Sequence, residues 1–128
     1  SSTSKERDMN RLKWFDISEF ASPDSEGSGG MMEEEFLERL DLARDIAGFP
    51  FIINSGFRSI AHNKKVGGVK NSSHLLGWAA DLHCGSGQRR FLMIEALLDA
   101  GFTRLGIGDT YIHCDFDPEK SPMTIWTY

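Results

Sequence analysis

The sequence predicts an α+β domain in which helices pack against a mainly antiparallel sheet. Two amphipathic segments lie between short apolar runs, three strand-like runs follow one another near the C-terminal end, and Gly or Pro separates most of these segments. With 128 residues, 40% of them hydrophobic and 26% charged, the chain has the size and composition of one soluble globular domain. We therefore expect residues 1–128 to form one domain, with a frayed N-terminal segment over residues 1–13.

Two longer helices are predicted. The first covers residues 31–47, begins with acidic residues that suit a helix N-terminus, and ends before Gly48. The second covers residues 88–100 and ends before Gly101. The predicted core-facing residues are Phe36, Leu40, Ala43 and Ala47 in the first helix and Phe91, Ile94, Leu97 and Leu98 in the second.

The remaining elements are short. An aromatic helical turn is predicted over residues 14–20, and a basic helix over residues 60–66. Strands are predicted over residues 51–54, 79–83, 103–108, 110–116 and 123–128, with the third and fourth joined in a hairpin that turns near Asp109.

A histidine and an aspartate stand seven positions apart on either side of a glycine. His74 precedes Gly77, which can fold the chain back, and Asp81 follows it in a buried strand. His113 lies in a second alternating strand that can pair beside Asp81. Two imidazoles and one carboxylate are a zinc donor set that leaves one position for water. His62 lies in a polar segment without a partner for a metal, and we give it no role.

Residues 72–81 read SxHxxGxAxD, preceded by Ser-Gly-Phe-Arg at residues 55–58 and followed by the His113 strand. Over residues 51–128 the chain resembles the zinc D-Ala-D-Ala carboxypeptidase and L-alanyl-D-glutamate endopeptidase family, which includes bacterial cell-wall enzymes and phage endolysins. The resemblance implies a hedgehog/DD-peptidase-like fold, a Zn²⁺ cofactor, and hydrolysis of peptidoglycan stem peptides near D-amino acids. It also implies a bacterial cell-envelope or phage-encoded protein, and it leaves exopeptidase and endopeptidase action open.

Two residues are predicted to contact the substrate. Arg58 stands at the end of a strand, where a planar guanidinium can bind a carboxylate or a developing oxyanion. The resemblance gives Arg58 and Ser72 the role of binding or polarising the substrate, at the matching positions of the motif.

The general base is not where the resemblance would put it. The family usually has a carboxylate three residues before the last histidine, where this chain has Thr110. We expect Asp109 and Asp115 to replace it because they share strand parity with His113, and His83 is a further candidate. In the alternative interpretation, Asp115 orients a ligand histidine and Asp109 only makes the hairpin turn.

Composition excludes some functions and leaves others open. The net charge of −5 argues against non-specific nucleic-acid binding, and no run approaches the ~18 apolar residues of a membrane span. We expect a monomer whose partner is the peptidoglycan stem peptide. Because Thr110 cannot act as a base, the alternative function is a catalytically inactive, zinc-stabilised binding module.

The two cysteines can be interpreted in two ways. If Asp81 and His113 face a metal from neighbouring strands, Cys84 and Cys114 both face the other side of the sheet and could be close. In the alternative, they are two separately buried thiols, because a bond needs Cα atoms within about 7 Å.

Overall fold

A computed structural model describes residues 12–128, so most of the predicted frayed segment lies outside the described residues. The described part contains α1 (Glu34–Ala47), α2 (Ile60–Lys65), α3 (Gly87–Asp99), and five strands: β1 (Ile53–Ser55), β2 (Ala79–His83), β3 (Arg104–Ile107), β4 (Tyr111–Asp115) and β5 (Thr124–Thr127). It also contains 3₁₀ helices at Ile17–Phe20, Ser28–Met31 and Ser73–Leu76. Over residues 12–128, the helices are too short or too polar to cross a membrane.

The five strands form one sheet in the order β1-β2-β4-β3-β5. All neighbouring pairs are antiparallel except β3 and β5, which run parallel. The predicted α+β class with a mainly antiparallel sheet is therefore confirmed. In the central pair, Asp81 of β2 stands directly opposite His113 of β4.

The two faces of the sheet differ because side chains alternate along a strand. On one face, Leu82 of β2 and Ile112 of β4 join the hydrophobic core, which also contains residues of α1 and α3. Asp81 and His113 occupy the intervening positions and lie on the opposite face. The core therefore supports the sheet from one side, and the polar pair lies on the other side.

The predicted core face of α3 is partly wrong. Leu97 is fully buried, but Phe91 is 68% exposed and Leu98 is 48% exposed. Met93 and Ala96 are buried instead, so the stripe that packs against α1 is rotated relative to the prediction. Phe91 and Leu98 are apolar but lie outside this stripe, where they face solvent.

The first predicted strand is shifted. Phe51 is buried, but Ile52 is 60% exposed and the strand covers Ile53–Ser55. The pairing of β1 with β2 also contains an irregularity between Ile53 and Ser55. An apolar run alone does not reveal such a break in register.

The hypothesis that the two thiols lie close to each other is wrong. Cys84 and Cys114 are both buried and both free. Cys114 stands opposite Ala80 in the sheet, four residues before Cys84. This separation is about 13 Å along a strand, well beyond the reach of a disulfide of about 7 Å. The alternative of two separately buried thiols is the one observed.

Candidate metal centre

Three predicted residues converge on the polar face of the sheet. One ligand atom of each of His74, Asp81 and His113 lies within 4.8 Å of the other two. Asp81 Oδ1 is 3.3 Å from His74 Nε2 and 3.0 Å from His113 Nδ1. Two imidazole nitrogens and one carboxylate oxygen are the kind of donor set that binds zinc in catalytic sites, so the residues present fit such an ion.

Local structure fixes the position of His74. Ser72 caps the N-terminus of the 3₁₀ helix Ser73–Leu76, and its side chain accepts a hydrogen bond from the His74 backbone N–H. The helix ends at Gly77, which has a φ of 78° and returns the chain towards β2. A Cβ at Gly77 would lie 2.5 Å from the carbonyl oxygen of Met31, so only glycine fits this turn.

Each histidine is oriented by its second ring nitrogen. His74 donates from Nδ1 to the backbone carbonyl of Gly56 at 2.7 Å, and His113 donates from Nε2 to Asp115 Oδ2 at 2.7 Å. Because a carbonyl and a carboxylate accept hydrogen bonds, these contacts place a proton on the outer nitrogen of each ring. The nitrogens that face the centre, His74 Nε2 and His113 Nδ1, are then the ones suited to a metal.

Burial and polar contacts shift the pKa values of the three candidate ligands in different directions. Burial lowers the pKa of His74, which favours the neutral imidazole that binds metals. Burial alone would raise the pKa of Asp81, but its contacts with the rings of His113 and His74 outweigh this effect and hold the pKa far below its ordinary value. Burial would also lower the pKa of His113, but its hydrogen bonds to Asp115 and Asp81 outweigh that effect and raise it.

Asp115 is almost fully buried behind His113. Its Oδ2 accepts the bond from His113, and its Oδ1 accepts a bond from the backbone N–H of Asp117 at 3.2 Å. Arg104 Nε lies 3.0 Å from Oδ1, but its N–H is not aligned for a hydrogen bond, so this contact is an ion pair. The structure therefore gives Asp115 the contact that the orienting interpretation requires.

Arg58 is held by three side chains at the edge of the centre. Its Nη2 donates to Asp81 Oδ2 at 3.2 Å. Its Nε donates to Ser55 Oγ at 3.1 Å and its Nη1 to Asn63 Oδ1 at 3.2 Å. The guanidinium thus engages the outer oxygen of Asp81 and leaves Oδ1 directed at the two histidines.

The candidate ligands open into a cavity of about 400 Å³. Its wall also contains Arg58, Ser72, Asp115, Tyr111, Trp126 and Lys120. The last three were not predicted from the sequence. Tyr111 shares strand parity with His113 and could have been found from that signal, whereas Lys120 lies in a connection and has no periodic signal.

The structure does not bring every candidate base to this cavity. Asp109 is exposed in the turn between β3 and β4, where its backbone carbonyl accepts a bond from Arg90 at 2.8 Å. His83 is exposed at the end of β2. Neither residue lines the cavity, whereas Asp115 does. His62, to which no role was given, is also outside the three-residue cluster.

One wall of the cavity consists of aromatic side chains that pack against glycines. Gly106 of β3 stands opposite Trp126 of β5, and a Cβ there would lie 2.6 Å from Trp126 Nε1. A Cβ at Gly108 would overlap the ring of Tyr111. The ring of Tyr128 lies 5.3 Å from that of Tyr111, and the ring of Trp126 lies 5.5 Å from that of His113. The two glycines therefore set how closely the aromatic wall approaches β3.

The loop before Arg58 joins the centre to the N-terminal part of the described chain. Phe57 N donates to the carbonyl of Phe20 at 2.8 Å, and Arg58 N donates to the carbonyl of His74 at 3.0 Å. A Cβ at Gly56 would lie 2.7 Å from Phe20 Cα, so this loop packs directly on the 3₁₀ helix Ile17–Phe20.

A known protein family and a characterised protein both match parts of this chain. The model of a family described as Peptidase M15 matches residues 13–115. The zinc D-Ala-D-Ala carboxypeptidase of Streptomyces albus G is 45% identical over 56 residues, which are 44% of this chain. The match covers 22% of the length of that relative.

Proposed function

Because the chain belongs to the peptidase M15 family, we propose that it is a zinc-dependent peptidase that hydrolyses peptide bonds near D-amino acids in peptidoglycan stem peptides. The convergence of His74, Asp81 and His113 within one cavity carries this proposal. The similarity to a zinc D-Ala-D-Ala carboxypeptidase supports the choice of metal and of substrate.

In this proposal His74 Nε2, Asp81 Oδ1 and His113 Nδ1 would hold the zinc. A zinc ion in such a site would supply a Lewis acid and lower the pKa of a bound water to about 7. Gly56 and Asp115 keep the two imidazole rings in the required tautomer and orientation. Arg58 keeps the carboxylate of Asp81 in place through its outer oxygen.

Arg58 and Ser72 are proposed to bind the substrate. Both line the cavity, and the side chain of Arg58 is already fixed by Ser55 and Asn63, so little side-chain entropy is lost when it meets a carbonyl or carboxylate. Ser72 Oγ accepts the bond from His74 N, which leaves its hydroxyl hydrogen to donate to the substrate.

Asp115 is proposed as the proton acceptor as well as the residue that orients His113. Of the two aspartates predicted for the first role, it is the one that lines the cavity, whereas Asp109 lies in the hairpin turn. Both oxygens of Asp115 already have partners, so proton transfer requires one of these contacts to open.

We further propose that the chain acts as one peptidase domain and as a monomer. Residues from 12 to 116 form or pack against a single hydrophobic core, which supports one domain. All three candidate ligands come from one chain, so the centre needs no second copy. The proposal includes both carboxypeptidase and endopeptidase action. It applies to a bacterial and to a phage-encoded protein alike.

A second candidate is a zinc-stabilised binding module without hydrolysis. Thr110 occupies the position where the family usually has a carboxylate, and it is exposed in the hairpin turn. The two carboxylates in the cavity, Asp81 and Asp115, are both held by other side chains. These observations favour a centre that binds a peptide without cutting it.

One experiment separates the two candidates. Metal content is measured on the purified protein, and digestion of purified peptidoglycan is followed by mass spectrometry before and after chelation and zinc return. Stoichiometric zinc with cleavage that is lost on chelation supports the peptidase, and the products distinguish removal of a terminal residue from internal cleavage. Stoichiometric zinc without cleavage supports the binding module. Absence of both zinc and cleavage contradicts both.

A further inference from the structure

Lys120 is a cation in the cavity wall that has no role in the metal centre. It lies in the connection between β4 and β5, and its Nζ donates to Ser73 Oγ at 2.8 Å. Ser73 in turn donates to Asp117 Oδ2 at 2.7 Å, and Asp117 Oδ2 is 3.9 Å from the Lys120 Nζ. The ammonium group is thus bound to Ser73, the residue that precedes His74 in the chain, and lines the same cavity as His74.

Lys120 differs from the other two cations of the cavity in how its charge is balanced. Arg58 donates directly to Asp81, and Arg104 forms a 3.0 Å ion pair with Asp115. Lys120 has a neutral hydroxyl as its hydrogen-bond partner, and its carboxylate neighbour is 3.9 Å away. An ammonium has three N–H donors, so Lys120 retains donors for a bound anion.

Three residues that line the cavity follow one another along β4. Tyr111 lies at the first residue of this strand, His113 at its middle and Asp115 at its end. Lys120 and its partner Asp117 follow the strand, beyond the Asp115 end, whereas the rings of Tyr111 and Tyr128 meet at the other end. A peptide lying along β4 would therefore meet aromatic rings on one side of the metal centre and an ammonium group on the other.

We propose that Lys120 forms an anion subsite that binds a carboxylate of the peptide substrate. Since Lys120 and the three candidate ligands line the same cavity of about 400 Å³, this carboxylate belongs to a residue close to the bond that is cut. The inference rests on the proposed function, because that function makes the ligand a peptide. It adds a determinant of specificity that lies outside the metal-binding motif.

The carboxylate has two possible sources, and both present the same chemistry to Lys120. A C-terminal carboxylate would make the subsite select the end of a peptide, as an exopeptidase does. A side-chain carboxylate would make it select an acidic residue within a longer peptide. Amide counterparts of each distinguish them, because an amide keeps the shape and removes the charge.

The test compares the wild type with Lys120→Gln, which keeps an N–H donor for Ser73 and removes the charge, and with Lys120→Arg, which keeps the charge. Lys65→Gln, an exposed lysine at the end of α2, is the matched control. Each zinc-loaded protein is assayed for kcat/KM on peptides ending in D-Ala-D-Ala, with a free C-terminal carboxylate or a C-terminal amide. A second pair carries an internal Glu or Gln beside the same bond. Binding of uncleavable analogues is measured by calorimetry.

The readout is the ratio of kcat/KM, or of affinity, between the two members of a peptide pair. Loss of folded protein changes both members equally and leaves this ratio unchanged. We expect the wild type, Lys120→Arg and Lys65→Gln to prefer the carboxylate in one pair by roughly 10-fold or more, and Lys120→Gln to lose this preference. The pair that responds identifies the source of the carboxylate.

Other outcomes are informative in different ways. If the wild type cleaves peptides but Lys120→Gln keeps the full preference, the anion subsite is contradicted and the proposed peptidase is not. If no protein cleaves any peptide but carboxylate binding still depends on Lys120, the subsite is supported and the peptidase is contradicted. If the wild type shows no preference in either pair, in cleavage or in binding, the subsite is contradicted.

Discussion

The ring of His113 donates from Nε2 to Asp115 Oδ2 at 2.7 Å, which directs its Nδ1 towards Asp81. The carboxylate that was predicted as a base is therefore in direct contact with a candidate metal ligand. This relationship gives Asp115 two roles that an experiment can separate.

We expect Asp115→Asn to lower zinc affinity by roughly 10- to 100-fold, because a neutral amide orients the imidazole of His113 less strongly. We also expect turnover at saturating zinc to stay at least about 100-fold below the wild type, because the amide cannot accept a proton. Zinc titration and kcat at saturating zinc measure the two effects. Full turnover of Asp115→Asn at saturating zinc would leave Asp115 with the orienting role alone.

Asp81→Asn and Asp109→Asn should respond differently to zinc. At zinc concentrations about 100 times the dissociation constant, binding stabilises the wild type by about 2.7 kcal/mol, which raises Tm by roughly 10 °C. We expect Asp109→Asn, in the exposed turn, to keep this shift and its turnover, and Asp81→Asn to lose most of both. Thermal unfolding with zinc and with chelator provides the measurement. An equal shift in both variants would remove Asp81 from the metal centre.

Replacement of Arg58 by Lys should impair substrate binding more than zinc binding. A lysine cannot reproduce the three simultaneous contacts of the guanidinium with Asp81, Ser55 and Asn63. We expect kcat/KM to fall by roughly 100-fold with zinc content retained, and Arg89→Lys, on an exposed position of α3, to stay close to the wild type. Unchanged kcat/KM in Arg58→Lys would remove this residue from the substrate site.

Gly106→Ala should displace the aromatic wall. The new Cβ would lie 2.6 to 2.9 Å from the indole of Trp126, which must shift. We expect a loss of roughly 1 to 3 kcal/mol in the free energy of unfolding and a change in tryptophan fluorescence. Gly87→Ala, whose Cβ would meet no atom within 4 Å, is the control. An unchanged fluorescence spectrum and stability in Gly106→Ala would contradict the close approach of Trp126 to β3.

Both cysteines should titrate as free thiols in the denatured, unreduced protein, since the sheet register keeps Cys84 and Cys114 too far apart to bond. In the folded protein, Cys114 should react slowly, because burial raises the pKa of its thiol and shields it from reagents. A thiol reagent monitored by absorbance measures both. Detection of no free thiol after denaturation would contradict this register.

Much of the centre could be predicted because the alternation of side chains along a strand follows from a few neighbouring residues in the sequence. The alternation around Asp81 and His113 placed both side chains on one face, and the glycine between His74 and Asp81 indicated the fold-back that brings the third residue in. The structure places the three side chains together, and their role as zinc ligands remains a prediction that metal analysis will test.

What could not be predicted depends on contacts between distant segments. The parallel pairing of β5 with β3 follows from the path of the chain after β4 and not from the composition of β5. The exposed Phe91 shows that an apolar residue within a helical pattern need not belong to the packed stripe. Lys120 is positioned at the cavity by a hydrogen bond to Ser73, which lies 47 positions away in the sequence. No periodic pattern in the sequence indicates this contact.

The loop at Gly56 connects the N-terminal aromatic turn to His74, so we expect the two to open together. Its carbonyl restrains His74 while its backbone rests on Phe20, so separation of that turn from the sheet would release the imidazole. Amide hydrogens of the turn and of β2 should then exchange with deuterium by one shared opening, and that opening should become rarer as the ion binds. A shortened protein that lacks Phe20 should accordingly bind the metal more weakly, although it still contains all three candidate ligands.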